Sequence, residues 1–225
     1  YFLFRGQPEV LITSGEHYGA VLNLDFDYSK YLDTLAADGL NNTRTFVGSY
    51  CEPDGAFNIA RNTLAPTAGR FICPWARSET PGYYGGGSKF DLTRWDEAYF
   101  ARLHDFLAKA SDRGIVVEVN LFCPFYGDAQ WHLSPMNTIN NINGIGTVSR
   151  EQAYAVDGEA ALLDVQETMT REIVTRLNGY DNIYFEIMNE PYIRDVPDAW
   201  ERHIADVIAD TERSLPNRHI ISQNI

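Results

Sequence analysis

The feature that most constrains the fold of this chain is the alternation of strand-like and helix-like segments. Five short strand-like runs recur, at 10–13, 42–47, 115–121, 183–188 and 219–225. Helical periodicity fills most of the intervals between them. Strands that alternate with helices form a parallel sheet with right-handed crossovers. The sequence therefore predicts an α/β fold, in a single domain that spans residues 1–225.

Four helices are predicted from the spacing of apolar residues, and they cover about 28–39, 93–113, 159–177 and 197–215. The second is predicted to begin at Thr93, because Thr93 with Asp96 three residues later resembles a capping box. The segments 48–92 and 122–158 lack this periodicity and are predicted to be long loops.

Both an open doubly wound sheet and a closed barrel contain parallel strands of this kind. The turn after the first predicted strand, 14–19, reads Ser-Gly-Glu-His-Tyr-Gly, which matches neither GxGxxG nor GxxxxGK[ST]. This absence favours a TIM-type (β/α)8 barrel, with about the first five βα units present. Chemistry in such barrels gathers at the carboxyl ends of the strands, so both long loops are expected on the active face.

The most specific stretch of the sequence is 184–191, Tyr-Phe-Glu-Ile-Met-Asn-Glu-Pro. Because side chains alternate between the faces of a strand, Glu186, Met188 and Glu190 project to one side. Glu190 then stands at the strand end beside Asn189 and faces the barrel mouth, a place that suits a general acid. The alternative is a solvated glutamate without a chemical role.

Glu186 points into the barrel one layer below Glu190, and we expect it to be structural. A buried carboxylate without a partner costs several kcal/mol. The sequence therefore predicts that Glu186 pairs with Arg44 or another donor, and that Glu118 on the third strand belongs to the same interior network.

The string 185–191, Phe-Glu-Ile-Met-Asn-Glu-Pro, resembles the strand-four motif of glycoside hydrolase family 5 and its relatives in clan A. The resemblance implies that Glu190 is the catalytic acid/base and that Asn189 binds the sugar 2-hydroxyl. The segment 39–44, Gly-Leu-Asn-Asn-Thr-Arg, is similar to the family's strand-two pattern Gly-Phe-Asn-x-x-Arg, which implies a place for Arg44 near the nucleophile. The implied activity is that of a retaining, cellulase-like O-glycoside hydrolase that degrades β-linked poly- or oligosaccharides.

Two departures from the family pattern are present. Strand three of the family often ends in a His, and the corresponding residue here is Phe122, so either the sugar contacts differ or the alignment slips. The retaining mechanism also needs a second carboxylate about 5–5.5 Å from the first. In the family it follows strand seven, whereas this sequence ends at the fifth predicted strand. Glu16 is a weak substitute, because strands one and four are not neighbours.

We therefore expect a partial sequence, since an eight-unit barrel typically needs about 250 residues. The alternative is a carbohydrate-binding pseudoenzyme or barrel fragment that lacks the nucleophile. If the barrel is really incomplete, its bare strand edges predict self-association.

Aromatic residues on the loops are the expected platforms for sugar rings. The predicted substrate contacts are Tyr126, Trp131, His132, Glu16 and His17. For Trp131 and His132 the alternative is simple packing within the loop. Trp75, Tyr83 and Tyr84 are further loop aromatics on the same face, whereas Trp95 and Trp200 fall on predicted helices and are expected in the core.

Composition limits the partners. The net charge is −13 and no Lys/Arg cluster is present, which argues against nucleic acid as a partner. No apolar run approaches the roughly 18 residues of a membrane span. No cofactor or metal is expected, because the five His are scattered. Polymer-degrading enzymes act outside the cell, so a secreted or periplasmic location is expected. Cys51 and Cys73 either pair, or all three cysteines stay unpaired.

Overall fold

The computed structural model of the chain describes residues 1–13 and 16–224. In chain order the strands and helices are β1 (Phe2–Phe4), β2 (Gln7–Glu9), α1 (Tyr28–Ala37), β3 (Asn42–Phe46), β4 (Trp75–Pro81), β5 (Ser88–Trp95), α2 (Glu97–Asp112), β6 (Val116–Phe122), α3 (Asp128–Leu133), α4 (Ala160–Leu177), β7 (Ile183–Met188), α5 (Asp198–Glu212) and β8 (Ile221–Ser222). Short 3₁₀ turns occur at Ala56–Asn58, Arg150–Gln152 and Pro191–Arg194.

The centre of the fold is a parallel sheet in the order β3-β6-β7-β8, with helices in the connections between its strands. The predicted parallel α/β architecture is thus confirmed. Within the described residues this sheet has four strands, so the expected count of about five βα units is not confirmed. The register sets Arg44 beside Glu118 and Asn120 beside Glu186, which brings polar side chains from three strands to one face.

The first predicted strand does not form over 10–13, where the structure has no strand. Instead, β1 and β2 make an antiparallel hairpin just before it. The side chains of Val10 and Ile12 are 65% and 52% exposed, so no apolar face is buried there. Ile12 still touches the start of β3, because its carbonyl accepts from the backbone N–H groups of Asn41 and Asn42. Its predicted end, Ser14-Gly15, lies outside the described residues.

The capping box predicted at Thr93 is wrong. Thr93 lies in β5, where its hydroxyl donates to Oδ1 of Asp91 at 2.7 Å. Asp96 is the N-cap of α2, and its Oδ1 accepts from the N–H groups of Ala98 at 2.9 Å and Tyr99 at 3.3 Å. An aspartate that satisfies two free N–H groups of the first turn is a strong cap, and it starts the helix three residues later than predicted.

The segment predicted as one long loop, 48–92, contains most of the antiparallel hairpin of β4 and β5. Its aromatic side chains are largely internal. Trp75 and Tyr83 are buried, so the expectation that they offer open sugar platforms is wrong. The guanidinium of Arg77 lies 4.5 Å from the ring centre of Tyr83 and 3.9 Å from that of Phe90, which stabilises the hairpin from inside.

Helices α2, α4 and α5 cover the sheet with apolar residues, and the predicted inner face of α2 (Phe100, Leu103, Leu107 and Ala110) is buried. Trp200 is fully buried, as predicted for the core; Trp95 is partly buried but lies at the end of β5 rather than on a helix. All three cysteines are buried free thiols, which agrees with the second interpretation of the cysteine pattern. No described helix is both long and apolar enough to cross a membrane.

The last predicted strand, 219–225, is shorter in the structure, where only β8 pairs with β7. His219 precedes it and is fixed by two acceptors. Its Nδ1 lies 2.5 Å from Oε1 of Glu212, and its Nε2 lies 2.8 Å from the carbonyl of Tyr180. These contacts hold the start of the predicted strand in place of backbone pairing with β7. Residue 225 lies outside the described residues.

Candidate active site

A cavity of about 730 Å³ opens beyond the carboxyl ends of β3, β6 and β7. The carboxyl ends of parallel strands meet at one edge of a sheet, so side chains from distant parts of the sequence converge there. Six of the eight residues predicted for the site line this cavity: Glu16, His17, Arg44, Tyr126, Asn189 and Glu190.

Glu190 is the second residue after β7 and precedes the 3₁₀ turn Pro191–Arg194. Its backbone is left-handed, with φ 43° and ψ 50°, which is uncommon for a residue other than glycine. Its carboxylate accepts hydrogen bonds from two hydroxyl groups: that of Tyr126 to Oε2 at 2.5 Å and that of Tyr192 to Oε1 at 3.3 Å. The side chain is partly exposed to the cavity, so a ligand can reach it.

Asn189 links Glu190 to the floor of the cavity. Its Oδ1 accepts from Nη2 of Arg44 at 3.1 Å, and its Nδ2 donates to the hydroxyl of Tyr126 at 3.0 Å. Its backbone N–H donates to the carbonyl of Phe122 at 3.0 Å. The amide is therefore fixed in orientation by three elements of the fold.

Arg44 lies between two buried carboxylates. Its Nη2 donates to Oε2 of Glu186, and its Nε lies 3.0 Å from Oε1 of Glu118. Glu186 also accepts from the amide of Asn120, and Glu118 accepts from the hydroxyl of Tyr184 at 2.6 Å. The predicted pairing of Glu186 with Arg44, and the membership of Glu118 in the same network, are both present in the structure.

The network has one cation for two carboxylates, and the pKa values follow from this. Burial disfavours the charged guanidinium, but Glu186 and Glu118 outweigh it, so the pKa of Arg44 is raised. Burial, together with the negative charge of Glu186, also raises the pKa of Glu118. The cavity floor therefore holds a proton more firmly than isolated carboxylates would.

Tyr126 contacts both Glu190 and Asn189. Its ring packs edge-on against Phe57 at 5.3 Å and against Tyr50 at 6.1 Å, measured between ring centres. Burial and the neighbouring Cys123 raise the pKa of its hydroxyl, so the group stays protonated and can donate to Glu190. Arg194 donates to its backbone carbonyl, which fixes the main chain at this point.

His17 and Glu16 also belong to the cavity lining. The ring of His17 lies 4.6 Å from that of Phe26 and 4.9 Å from that of Tyr31. Burial lowers the pKa of His17, because the charged imidazolium is poorly solvated there. The neutral ring can accept or donate a hydrogen bond toward the cavity.

Trp131 and His132 are corrections to the predicted site, because neither lines the cavity. Trp131 on α3 is only 4% exposed, its indole N–H donates to the carbonyl of Val148 at 3.1 Å, and its ring stacks near Phe125. Its partners are thus all internal, as in the alternative of simple packing within the loop. His132 lies beside Tyr84, at 5.5 Å between ring centres, outside the lining.

Phe122, the residue that corresponds to the family's strand-three His, lies outside the cavity lining, whereas its neighbour Cys123 belongs to it. Cys123 lines the cavity, and its sulfur lies 3.7 Å from Nδ2 of Asn189. Phe122 packs on Trp200 at 5.0 Å and stays outside the lining.

The segment after β3 supplies site residues that the sequence pattern did not reveal. Glu52, Phe57 and Asn62 line the cavity. The hydroxyl of Tyr50 donates to Oε1 of Glu52 at 3.0 Å, and the amide of Asn62 donates to Oε2. Phe57 is 55% exposed. The one signal in the sequence that could have indicated this part of the site is Glu52, a carboxylate six residues beyond the end of β3 on the predicted active face.

The family model described as Cellulase (glycosyl hydrolase family 5) matches residues 27–222. No curated protein matches the chain. Among solved structures, the chain is similar to a candidate glycoside hydrolase from Bacteroides vulgatus ATCC 8482, with 15% identity, a TM-score of 0.59, and 94% of this chain and 34% of that chain covered. It is also similar to a family 5 mannosidase from Rhizomucor miehei, with 12% identity, a TM-score of 0.56, and 92% and 48% covered. A third is an exo-β-1,4-mannosidase from Opitutaceae bacterium strain TAV5, with 14% identity, a TM-score of 0.50, and 86% and 27% covered.

The chain spans less than half of the length of each of these solved proteins. At this level of identity the likeness concerns the fold, which is that of a TIM-barrel-like α/β protein. The family match covers most of the sequence, including the strands that bring Arg44, Asn189 and Glu190 together. The chain therefore belongs to glycosyl hydrolase family 5.

Proposed function

We propose that the protein is a retaining O-glycoside hydrolase of β-linked poly- or oligosaccharides, with Glu190 as the general acid/base. The observation that carries this proposal is the position of Glu190 in the cavity. Its carboxylate accepts from Tyr126 at 2.5 Å, and Tyr126 in turn accepts from the amide of Asn189. Family membership supports the same reaction class.

The proposed reaction uses Glu190 twice. Its protonated carboxyl group donates to the leaving glycosidic oxygen while a second carboxylate bonds to the anomeric carbon. The resulting Glu190 carboxylate then removes a proton from the water that displaces this second carboxylate. Both tasks require a fixed orientation of the carboxyl group. The hydroxyls of Tyr126 and Tyr192 supply this by holding one oxygen each, while the partly exposed side chain remains open to substrate.

Asn189 is proposed to bind the sugar 2-hydroxyl. Its oxygen is held by Arg44 and its nitrogen points toward Tyr126, so the amide cannot rotate freely. Hydrogen bonds to the 2-hydroxyl strengthen in the transition state of this reaction. An amide that is already oriented can form this hydrogen bond without losing further rotational freedom.

The aromatic and polar lining suits the binding of carbohydrate. Phe57 presents a half-exposed ring next to Tyr126, on which a pyranose face can stack. We propose Phe57, His17 and Glu16 as substrate contacts. Because polysaccharides do not enter cells, the proposed activity goes with a secreted or periplasmic location.

A non-catalytic carbohydrate-binding protein is the second candidate. One observation favours it: in residues 1–13 and 16–224, the carboxylates that line the cavity besides Glu190 are Glu16 and Glu52, and both precede β7. A retaining enzyme needs a nucleophile about 5–5.5 Å from the acid/base. A protein that binds β-linked oligosaccharides without cleaving any of them would support this candidate.

The proposal is tested by Glu190→Gln. The variant should lose hydrolysis of unactivated β-linked oligosaccharides, whereas aryl β-glycosides with good leaving groups should lose less in the first step, because these groups need no proton. Glu151→Gln is the matched control, since Glu151 is exposed and lies outside the cavity lining. Half or more of the activity retained in Glu190→Gln would remove Glu190 from this role.

A further inference from the structure

We infer that Glu52 is a sugar-recognition residue that accepts hydrogen bonds from two adjacent hydroxyl groups of one neutral pyranose ring. The inference deepens the proposed function, on which its substrate class rests. It concerns a buried carboxylate of the cavity for which the acid/base reaction has no use. Glu52 is only 7% exposed, yet its side chain belongs to the cavity lining.

The hydrogen bonds of Glu52 leave one acceptor position free on each oxygen. Oε1 accepts from the hydroxyl of Tyr50 at 3.0 Å, and Oε2 accepts from the amide of Asn62. An ionised carboxylate has about four acceptor positions, two on each oxygen. Two neighbouring hydroxyls on one sugar ring match the two positions that remain.

The charges around Glu52 favour hydroxyl donors over anionic sugars. In the described part of the chain Glu52 takes part in no ion pair, and Arg44 is already shared by Glu118 and Glu186. A buried carboxylate without a cation is costly unless hydrogen bonds satisfy it. Glu16 and Glu190 add two negative charges to the same lining and Arg61 adds one positive charge, so negative charge still exceeds positive there and disfavours a uronic acid.

Hydrogen bonds hold the main chain around Glu52 in a fixed conformation. The N–H of Glu52 donates to the carbonyl of Leu64 at 2.8 Å, and Oδ1 of Asn62 accepts from the N–H of Leu64 at 2.9 Å. The segment between them has left-handed backbone at Phe57 and Arg61, with φ 55° and 57°. Strained backbone of this kind concentrates at ligand-binding loops, because the surrounding contacts must hold it in place.

The experiment measures oligosaccharide binding in protein that carries Glu190→Gln, so that the ligand stays intact during the titration. Calorimetry with β-1,4-linked gluco- and manno-oligosaccharides compares this protein with a second form that also carries Glu52→Gln. We expect Glu52→Gln to raise the dissociation constant by roughly tenfold or more, which is typical for the loss of hydrogen bonds to a charged group. Glu159→Gln is the control, because Glu159 is a structural carboxylate outside the cavity lining. It accepts hydrogen bonds from the N–H groups of Gly146 and Thr147.

Monodeoxy sugars separate recognition from a merely structural role. Sugars that lack one of the two contacted hydroxyls should bind less well to protein with Glu52, and should lose little further affinity once Glu52→Gln is present. A structural role would instead lower the affinity for all the sugars alike, together with the midpoint of thermal unfolding.

The outcomes for this inference and for the proposed function are distinct. Equal affinity with and without Glu52→Gln, or no binding of any β-linked oligosaccharide, overturns the role of Glu52. Binding that depends on Glu52 in a protein whose wild type cleaves nothing overturns the hydrolase and leaves the inference standing.

Discussion

The hydroxyl of Tyr126 lies 2.5 Å from Oε2 of Glu190, although the two residues are 64 positions apart in the sequence. The contact joins the segment after β6 to the turn after β7. It fixes the proposed acid/base from one side, and the backbone of that turn fixes it from the other.

Tyr126→Phe should lower kcat for unactivated substrates by about 10- to 100-fold, because Glu190 loses the hydrogen bond that orients it. Tyr192→Phe removes a longer bond from an exposed residue and should cost less than about threefold. Kinetics of both purified variants, with thermal unfolding to verify folding, make the comparison. Equal losses in the two variants would show that the Tyr126 contact has no special role.

Arg44→Met should destabilise the fold by about 3–5 kcal/mol, because Glu118 and Glu186 are left buried without their shared cation. Without the arginine, the pKa of Glu118, which burial and the charge of Glu186 already raise, should rise further. The folded variant then binds more protons than the unfolded chain, so its stability should recover as the pH falls.

Urea unfolding at two pH values measures this loss. Arg171→Met is the control, since Arg171 forms an exposed pair with Glu167 one helical turn away, and it should cost about 1 kcal/mol or less. A loss at Arg44 no larger than that at Arg171 would contradict the network's structural importance.

Phe57→Ala should raise KM about five- to tenfold with little change in kcat, because the exposed ring contributes contact area rather than chemistry. Phe2→Ala is the comparison, as Phe2 is 40% exposed but lies on β1 and outside the cavity lining. Steady-state kinetics on oligosaccharides decide the matter. An unchanged KM in the Phe57 variant would exclude stacking at this position.

Stability should fall in acid partly through His104. Burial, and then the charge of Arg176, lowers the pKa of His104 from its ordinary value of 6.5. The unfolded chain therefore binds more protons than the folded one below about pH 6.5, and the free energy of unfolding falls as pH drops through that window. Wild type and His104→Asn should thus differ in slope between about pH 7.5 and 5.5 in urea unfolding. Parallel slopes would show that His104 is not responsible.

The strand that carries the site was predictable because its signal is local. Alternation over 183–188 gave β7 its bounds as well as the inward direction of Glu186. The need of a buried carboxylate for a cation then pointed to Arg44, 142 positions away. Thr93 was misjudged for the opposite reason: it lies in β5, and the pairing of β5 with β4 depends on tertiary contacts, which override a local capping pattern.

Which loop side chains face the cavity could not be predicted from the sequence, for a physical reason. Whether Trp131 faces solvent or Phe125 depends on how α3 lies, and no periodicity specifies that. Phe57 lines the cavity with a left-handed backbone, which is uncommon for a residue other than glycine and has no clear sequence signature. Loop conformation is thus the part of the site that only coordinates reveal.

The left-handed backbone at Glu190 places the proposed acid/base in a conformation that is costly for glutamate. Glycine, or asparagine to a lesser degree, adopts these dihedral angles at lower cost than glutamate does. If Glu190 is the acid/base, a descendant without selection for hydrolysis would gain stability when glycine replaces it. Persistence of glutamate there in a lineage is therefore a mark of continued use.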